Sequence, residues 1–156
     1  MDQASPLAWK TLRRSQYRAL QLCGDLLRDV YSYVLAQAPV EACGFLAGRR
    51  VADTAVVEVV FPVPNISEAT DRFTLAHRDM DDAARRCANA GLDMVALFHS
   101  HAGDSTPSRL DAAQMPLLPL IWMIVGGTSG GTIDGLGIDA FQASRTGIRR
   151  IPVAMT

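Results

Sequence analysis

The chain has 156 residues, 49% of them hydrophobic and 20% charged, with a formal net charge of −1. That length suits one domain, which buries roughly 70% of its extended surface and needs no disulfide or metal staple. The apolar content argues against a disordered chain, and the near-neutral charge offers no broad basic surface for nucleic acid.

Residues 1–18 lack periodicity and read as an N-terminal extension, followed by one domain over 19–156. Within the extension, Lys10, Arg13, Arg14 and Arg18 form a small basic cluster of the kind that usually faces solvent. No apolar stretch there resembles a signal peptide, and Cys23, Cys43 and Cys87 are odd in number and widely spaced. A cytoplasmic protein with reduced thiols is expected. The longest apolar run, MPLLPLIWMIVGG, is too short to span a bilayer and holds two prolines, so no membrane partner is expected.

From Asp25 the residues Leu26, Leu27, Val30, Val34 and Leu35 recur at helical spacing until Pro39 ends the run. EACGFLAGRR reads as strand and turn, and the β-branched stretch TAVVEVVFPVPN as a strand stopped by Pro62 and Pro64. A brief strand is expected at 73–75. A helix is expected over 77–90, with His77 at its start, Met80, Ala83, Ala84 and Cys87 on one face, and Gly91 as its stop. MVALF and IWMIVG suit buried strands, while LDAAQMPLL starts as a helix cut at Pro116. GGTSGGT lacks the lysine and spacing of a phosphate-binding loop. GIDAFQAS and GIRRIPVAM close the chain as two antiparallel strands. The expected fold is a single α/β domain with a mixed sheet and a few helices.

The chemistry concentrates in FHSHAGDSTPSRLD, Phe98 to Asp111. If MVALF is a strand running into His99 and His101, alternation sets both imidazoles on one face at the strand end. A third ligand would come from Asp104 or Asp111. Two imidazoles, a carboxylate and a water form the open set of catalytic zinc, and the same trio suits non-haem iron. Against this stands a plainer reading in which Ser108-x-x-Asp111 is a capping box at the start of a helix. The two are compatible, since a cap at Ser108 also fixes Asp111 in place. Of the three glutamates, Glu58 lies mid-strand and Glu68 in a polar loop, whereas Glu41 opens EACGFLAG hard against a helix end.

PVEACGFLAG followed by FHSH and PSRLD resembles the JAMM/MPN (JAB) family of zinc isopeptidases, in its single-domain bacterial form. The segment from VFPVPN to FHSH follows the family's course as well, and the likeness covers roughly residues 20–152. It implies a JAMM/MPN-like, cytidine-deaminase-like fold, a mixed β-sheet flanked by helices. It also implies one Zn²⁺ held by His99, His101 and Asp111 with water as fourth ligand, and Glu41 as general base. Ser108 would help stabilise the oxyanion, or serve only as the helix cap. The partner implied is a ubiquitin-like or sulfur-carrier protein, whose C-terminal Gly-Gly tail carries the amide bond to be cut. Two departures stand out. Family members usually have proline after the second histidine, where this chain has Ala102, and the interval to the aspartate is one residue short. Either reshapes the loop and makes Asp104 a rival ligand to Asp111.

Rival readings fit less well. A non-catalytic MPN scaffold typically lacks a ligand or the glutamate, and all are present here. A 2-His-1-carboxylate iron site leaves Glu41 without a task, and a cupin-type site needs a glutamate downstream, where none follows residue 68. Cys43 reads as a small buried hydrophobe rather than a redox centre.

Overall fold

A computed structural model describes residues 16–156. Most of the expected extension, including Lys10, Arg13 and Arg14, therefore lies outside the described residues. The described part forms strand β1 (Ala19–Leu22), helix α1 (Gly24–Gln37), β2 (Cys43–Val51), β3 (Thr54–Val63), helix α2 (His77–Asn89) and β4 (Asp93–Ser100). After these come helix α3 (Arg109–Gln114), β5 (Ile121–Gly126), β6 (Gly137–Ser144), β7 (Gly147–Ile151) and β8 (Val153–Met155). No helix among the described residues is long and apolar enough to cross a membrane.

The strands form one mixed sheet in the order β7-β6-β5-β4-β2-β3-β1-β8. Its centre is the parallel pair β4–β5, flanked by antiparallel pairings of β4 with β2 and β5 with β6. In β5 every residue is buried, and in β4 every residue after Asp93, as continuous apolar strands covered on both faces require. One face packs against α1 through Val30 and Val34, the other against α2 through Met80, Ala83 and Cys87 and against the turn that follows α3 through Met115.

Helix α2 ends as its sequence predicts. Gly91 adopts φ +68°, and the Leu92 amide donates back to the Cys87 carbonyl at 2.9 Å, closing a Schellman turn.

Three local expectations change. Residues 73–75 form no strand, because the Thr74 amide donates to the Asn65 side chain and not to a ladder. β3 continues through Pro62 to Val63 and pairs with Cys43 and Gly44 of β2. GIRRIPVAM is broken at Pro152: β7 pairs antiparallel with β6, while β8 pairs parallel with β1 at the other end of the sheet. The Leu20 amide donates to the Pro152 carbonyl at 3.0 Å, and Pro152 alone separates β7 from β8, the two edge strands of the sheet. β1 itself, four residues long, carries too little periodicity to be read from the sequence.

Candidate metal centre

The site lies at the end of β4 on the face covered by α2 and α3. The antiparallel register pairs Cys43 with His99, and two more residues of that register set Glu41 opposite His101. Two bonds beyond the ladder hold this alignment. Ser100 donates its amide to the Ala42 carbonyl at 3.0 Å, and its hydroxyl accepts from the Ala42 amide at 2.8 Å. A glutamate and two histidines far apart in sequence are thus joined by strand pairing.

Alternation along β4 brings the two imidazoles together, with their Nε2 atoms 3.0 Å apart. Asp111 completes the triangle: its Oδ2 lies 3.1 Å from His99 Nε2 and 3.1 Å from His101 Nε2. Glu41 stands beside them, its carboxylate within 4.8 Å of the ligating atoms of both histidines. His99 is wholly buried, and Asp111 and Glu41 nearly so.

Asp111 reaches this position because of its place in the helix. Ser108 caps α3, its Oγ accepting from the Asp111 amide at 3.0 Å. In return Asp111 Oδ2 accepts from the Ser108 amide at 2.9 Å. The capping box and the meeting with the histidines share one oxygen, so the cap fixes Asp111 where it faces both imidazoles. Asp104 is placed differently. Its Oδ1 accepts from the Thr106 amide at 3.1 Å and from the Thr106 hydroxyl at 2.5 Å, and only its backbone carbonyl approaches the cluster, 3.2 Å from His101 Nδ1.

The charges of the cluster are mutually adjusted. Burial alone would raise the Asp111 carboxyl, but hydrogen bonds from His101 and His99 outweigh it and hold the group well below the usual carboxylate range. Burial lowers the affinity of His99 for a proton. His101 is pulled down by burial too, yet the Asp111 carboxylate more than offsets this and raises it. Burial pushes Glu41 up to about 7, with His101 opposing the rise and Asp111 adding to it.

The donor set suits a small dication. Ligands about 2.0–2.1 Å from a tetrahedral zinc stand roughly 3.3 Å apart, close to the spacing of the two nitrogens and the oxygen here. Those three atoms carry one formal negative charge between them and need either a shared proton or a cation to lie so near one another.

Two residues that shape the site had no chemical signal in the sequence. Asn65 donates from Nδ2 to the Glu41 carbonyl at 2.8 Å and to that of Arg72 at 3.2 Å, while its Oδ1 accepts from the amides of Ser67 and Thr74, each at 2.9 Å. It ties the backbone of Glu41 to the loop carrying Phe73. The Phe73 ring lies 4.5 Å from the His99 ring, centroid to centroid. The Pro64-Asn65 step marks a turn, but nothing local says what the turn supports.

Residues 25–139 match the model of the family described as prokaryotic homologs of the JAB domain. The chain belongs to that family. A curated relative from Thermus thermophilus, named a probable TtuB-protein conjugate cleaving protease, is 34% identical over 88 residues. The match covers 55% of this JAB-domain chain and 56% of that protein, so the chain spans little more than half the length of the relative. The fold of this JAB-domain chain is shared with a protein from Desulfitobacterium hafniense, known from a solution structure. The TM-score is 0.76 at 24% identity, covering 88% of this chain and 92% of that one. A Salinibacter ruber protein gives a TM-score of 0.62 at 23% identity, covering 87% and 91%. At such identities these two establish the fold alone.

Proposed function

We propose that this chain is a zinc-dependent peptidase of the JAB-domain family, hydrolysing an amide bond at the C-terminal Gly-Gly tail of a ubiquitin-like or sulfur-carrier protein. The observation that carries the reading is the convergence of His99, His101 and Asp111 at 3.0–3.1 Å with Glu41 beside them. The name of the Thermus relative supports conjugate cleavage as the activity.

His99 Nε2, His101 Nε2 and Asp111 Oδ2 would hold one Zn²⁺ per chain. Bound there, the ion would supply Lewis acidity and lower the pKa of water towards about 7, making a nucleophile available at neutral pH. Glu41 accepts the proton of the attacking water as its oxygen bonds to the amide carbon. It then returns that proton to the nitrogen as the C–N bond breaks, so that acid and amine leave with the charges balanced. Burial of Glu41 keeps bulk water from competing for its proton. The Ser108 hydroxyl accepts from the Asp111 amide and is free to donate its own proton towards a developing oxyanion.

Asp104 takes no part in holding the ion, because its carboxylate is bound to Thr106. Asp104→Ala is therefore expected to lower zinc affinity by less than about tenfold, below the usual loss for a group supporting a ligand. Competition against a chromogenic chelator measures this, and a protein left without zinc by Asp104→Ala contradicts it.

The function itself is tested with a panel of ubiquitin-like proteins joined through Gly-Gly to a reporter amine, with zinc measured in the same preparation. Cleavage after the second glycine by protein holding one zinc per chain is the expected result. A zinc-loaded protein that cleaves none of the panel would overturn the peptidase reading in favour of a non-catalytic scaffold.

A further inference from the structure

His99 and His101 are oriented by different means. The His99 ring is wedged between Phe73 and Trp122, with ring centroids at 4.5 and 5.7 Å, and its Nδ1 has no hydrogen-bond partner among the described residues. Apart from the contacts of its Nε2 with Asp111 and His101, packing holds it. His101 lies beyond the end of β4 and lacks that sleeve of aromatic rings. Its Nδ1 faces the carbonyl oxygen of Asp104 at 3.2 Å. An acceptor at Nδ1 keeps the proton on that nitrogen and turns the lone pair of Nε2 towards a ligand site.

The direction of that carbonyl depends on how the loop 102–107 is held. The start of the loop is stitched to the turn after β5. Gly127 donates its amide to the Gly103 carbonyl at 2.6 Å, Ser129 to that of Ala102 at 3.2 Å, and Thr128 to that of His101 at 3.3 Å. Gly126 allows this approach, since a Cβ there would stand 2.6 Å from Asp104 C and Ser105 N. Beyond Asp104 the tie is made by a side chain. Ser105 Oγ donates to Asp139 Oδ2 at 2.5 Å, and the other oxygen of Asp139 accepts from Arg150 Nη2 at 2.7 Å.

We propose that Ser105, Asp139 and Arg150 form a clamp that sets the Asp104 carbonyl and, through it, the His101 ring, making the three positioning residues for the second metal-binding histidine. The peptide between Asp104 and Ser105 is one rigid plane, so a hydroxyl fixed on Ser105 limits how far the Asp104 carbonyl can swing. The Arg150–Asp139 pair is half-exposed and adds little stability by itself. Its contribution is to present Asp139 at β6 in one orientation. No other element near the loop offers Ser105 a carboxylate among the described hydrogen bonds and ion pairs.

The inference rests on the reading of His101 as a zinc ligand, and the test separates the two. Zn²⁺ affinity is measured by chelator competition for the full chain and for Ser105→Ala, Asp139→Asn, Arg150→Gln, Ser105→Thr and, as control, Glu58→Gln on the far surface pair with Arg49. Ser105→Ala and Asp139→Asn are expected to weaken zinc binding by about 10–100-fold, the usual loss when the partner of a ligating histidine is disturbed. The metal-free thermal midpoint should hold, and the visible spectrum of the Co²⁺-loaded form should change. Ser105→Thr, which keeps the hydroxyl, restores affinity, and Glu58→Gln leaves it intact. Wild-type affinity and an unaltered Co²⁺ spectrum in both Ser105→Ala and Asp139→Asn overturn the clamp while leaving the metal site standing. A wild-type chain that binds no zinc overturns the metal site and the clamp with it. If Ser105→Ala or Asp139→Asn does not fold, Arg150→Gln decides, because its side chain lies largely in solvent: weakened binding supports the clamp and unchanged binding overturns it.

Discussion

Glu41→Gln is expected to bind zinc as tightly as the wild type and to lose about 10²–10⁴-fold in kcat, the usual contribution of a placed general base. Glutamine matches the carboxylate in shape and keeps the backbone bond from Asn65 to the Glu41 carbonyl, so the strand end stays in place. What it lacks is the ability to accept a proton and give it back. The carboxyl is buried and pushed up to about 7, beside one histidine that opposes the rise and an aspartate that adds to it. A dication held by His99, His101 and Asp111 would favour the ionised form and so keep the group a base at neutral pH. Single-turnover cleavage of a Gly-Gly-linked conjugate, with zinc content measured alongside, checks this. A Glu41→Gln protein that cleaves within tenfold of wild type would remove Glu41 from the chemistry.

The second large effect separates two residues that share one capping box. Asp111→Ala removes both the acceptor for the Ser108 amide and the oxygen lying 3.1 Å from each imidazole. It is expected to cost about 1 kcal/mol as a lost helix-start interaction. It should also lower zinc affinity by more than the ~10–100-fold that follows loss of a supporting group, since here an anionic ligand goes. Ser108→Ala costs a similar ~1 kcal/mol through the lost cap but leaves the three converging atoms in place, so zinc stays bound. If the hydroxyl also steadies the oxyanion, Ser108→Ala loses a further 10²–10³-fold in kcat, about the value of one such donor. A Ser108→Ala enzyme with the wild-type kcat and a lower thermal midpoint has lost a cap and nothing more. Thermal melts, chelator competition and kcat separate these outcomes. A zinc-loaded, active Asp111→Ala would overturn the ligand assignment.

Much of this architecture can be read along the chain, because it is written in local patterns. The 3.6-residue spacing of α1, the Gly91 stop of α2 and the continuous apolar runs of β4 and β5 each reflect a short-range rule. The capping box at Ser108 and Asp111 is equally local, with the spacing that the structure displays. The pairing of Glu41 with the histidines is not local, and it becomes legible only through the family resemblance carried by PVEACGFLAG, FHSH and PSRLD.

What escapes the sequence is held by single contacts over long separations. Asp139 lies 34 residues from Ser105, and neither residue stands in a pattern that foretells their bond. Asn65 reads as a turn residue, yet its amide supports the backbone of Glu41, 24 residues away. The Phe73 segment has strand-like composition but no partner strand, and the side chain of Asn65 takes its amide instead. GIRRIPVAM, with Pro152 inside it, reads as one strand. In the fold Pro152 is the point where the chain leaves one edge of the sheet and joins the other. The loop after His101 shows the same limit: its length and lack of proline leave two aspartates in contention, and in the fold Asp111 Oδ2 lies 3.1 Å from both imidazoles while the Asp104 carboxylate is bonded to Thr106.

The most direct test of metal-dependent hydrolysis is cleavage of a Gly-Gly-linked ubiquitin-like conjugate by one preparation in three states: as purified, stripped by chelation, and restored with one equivalent of Zn²⁺. The account predicts that cleavage disappears on stripping and returns with one zinc bound per chain, while the fold persists throughout. Cleavage that survives complete removal of metal would contradict it.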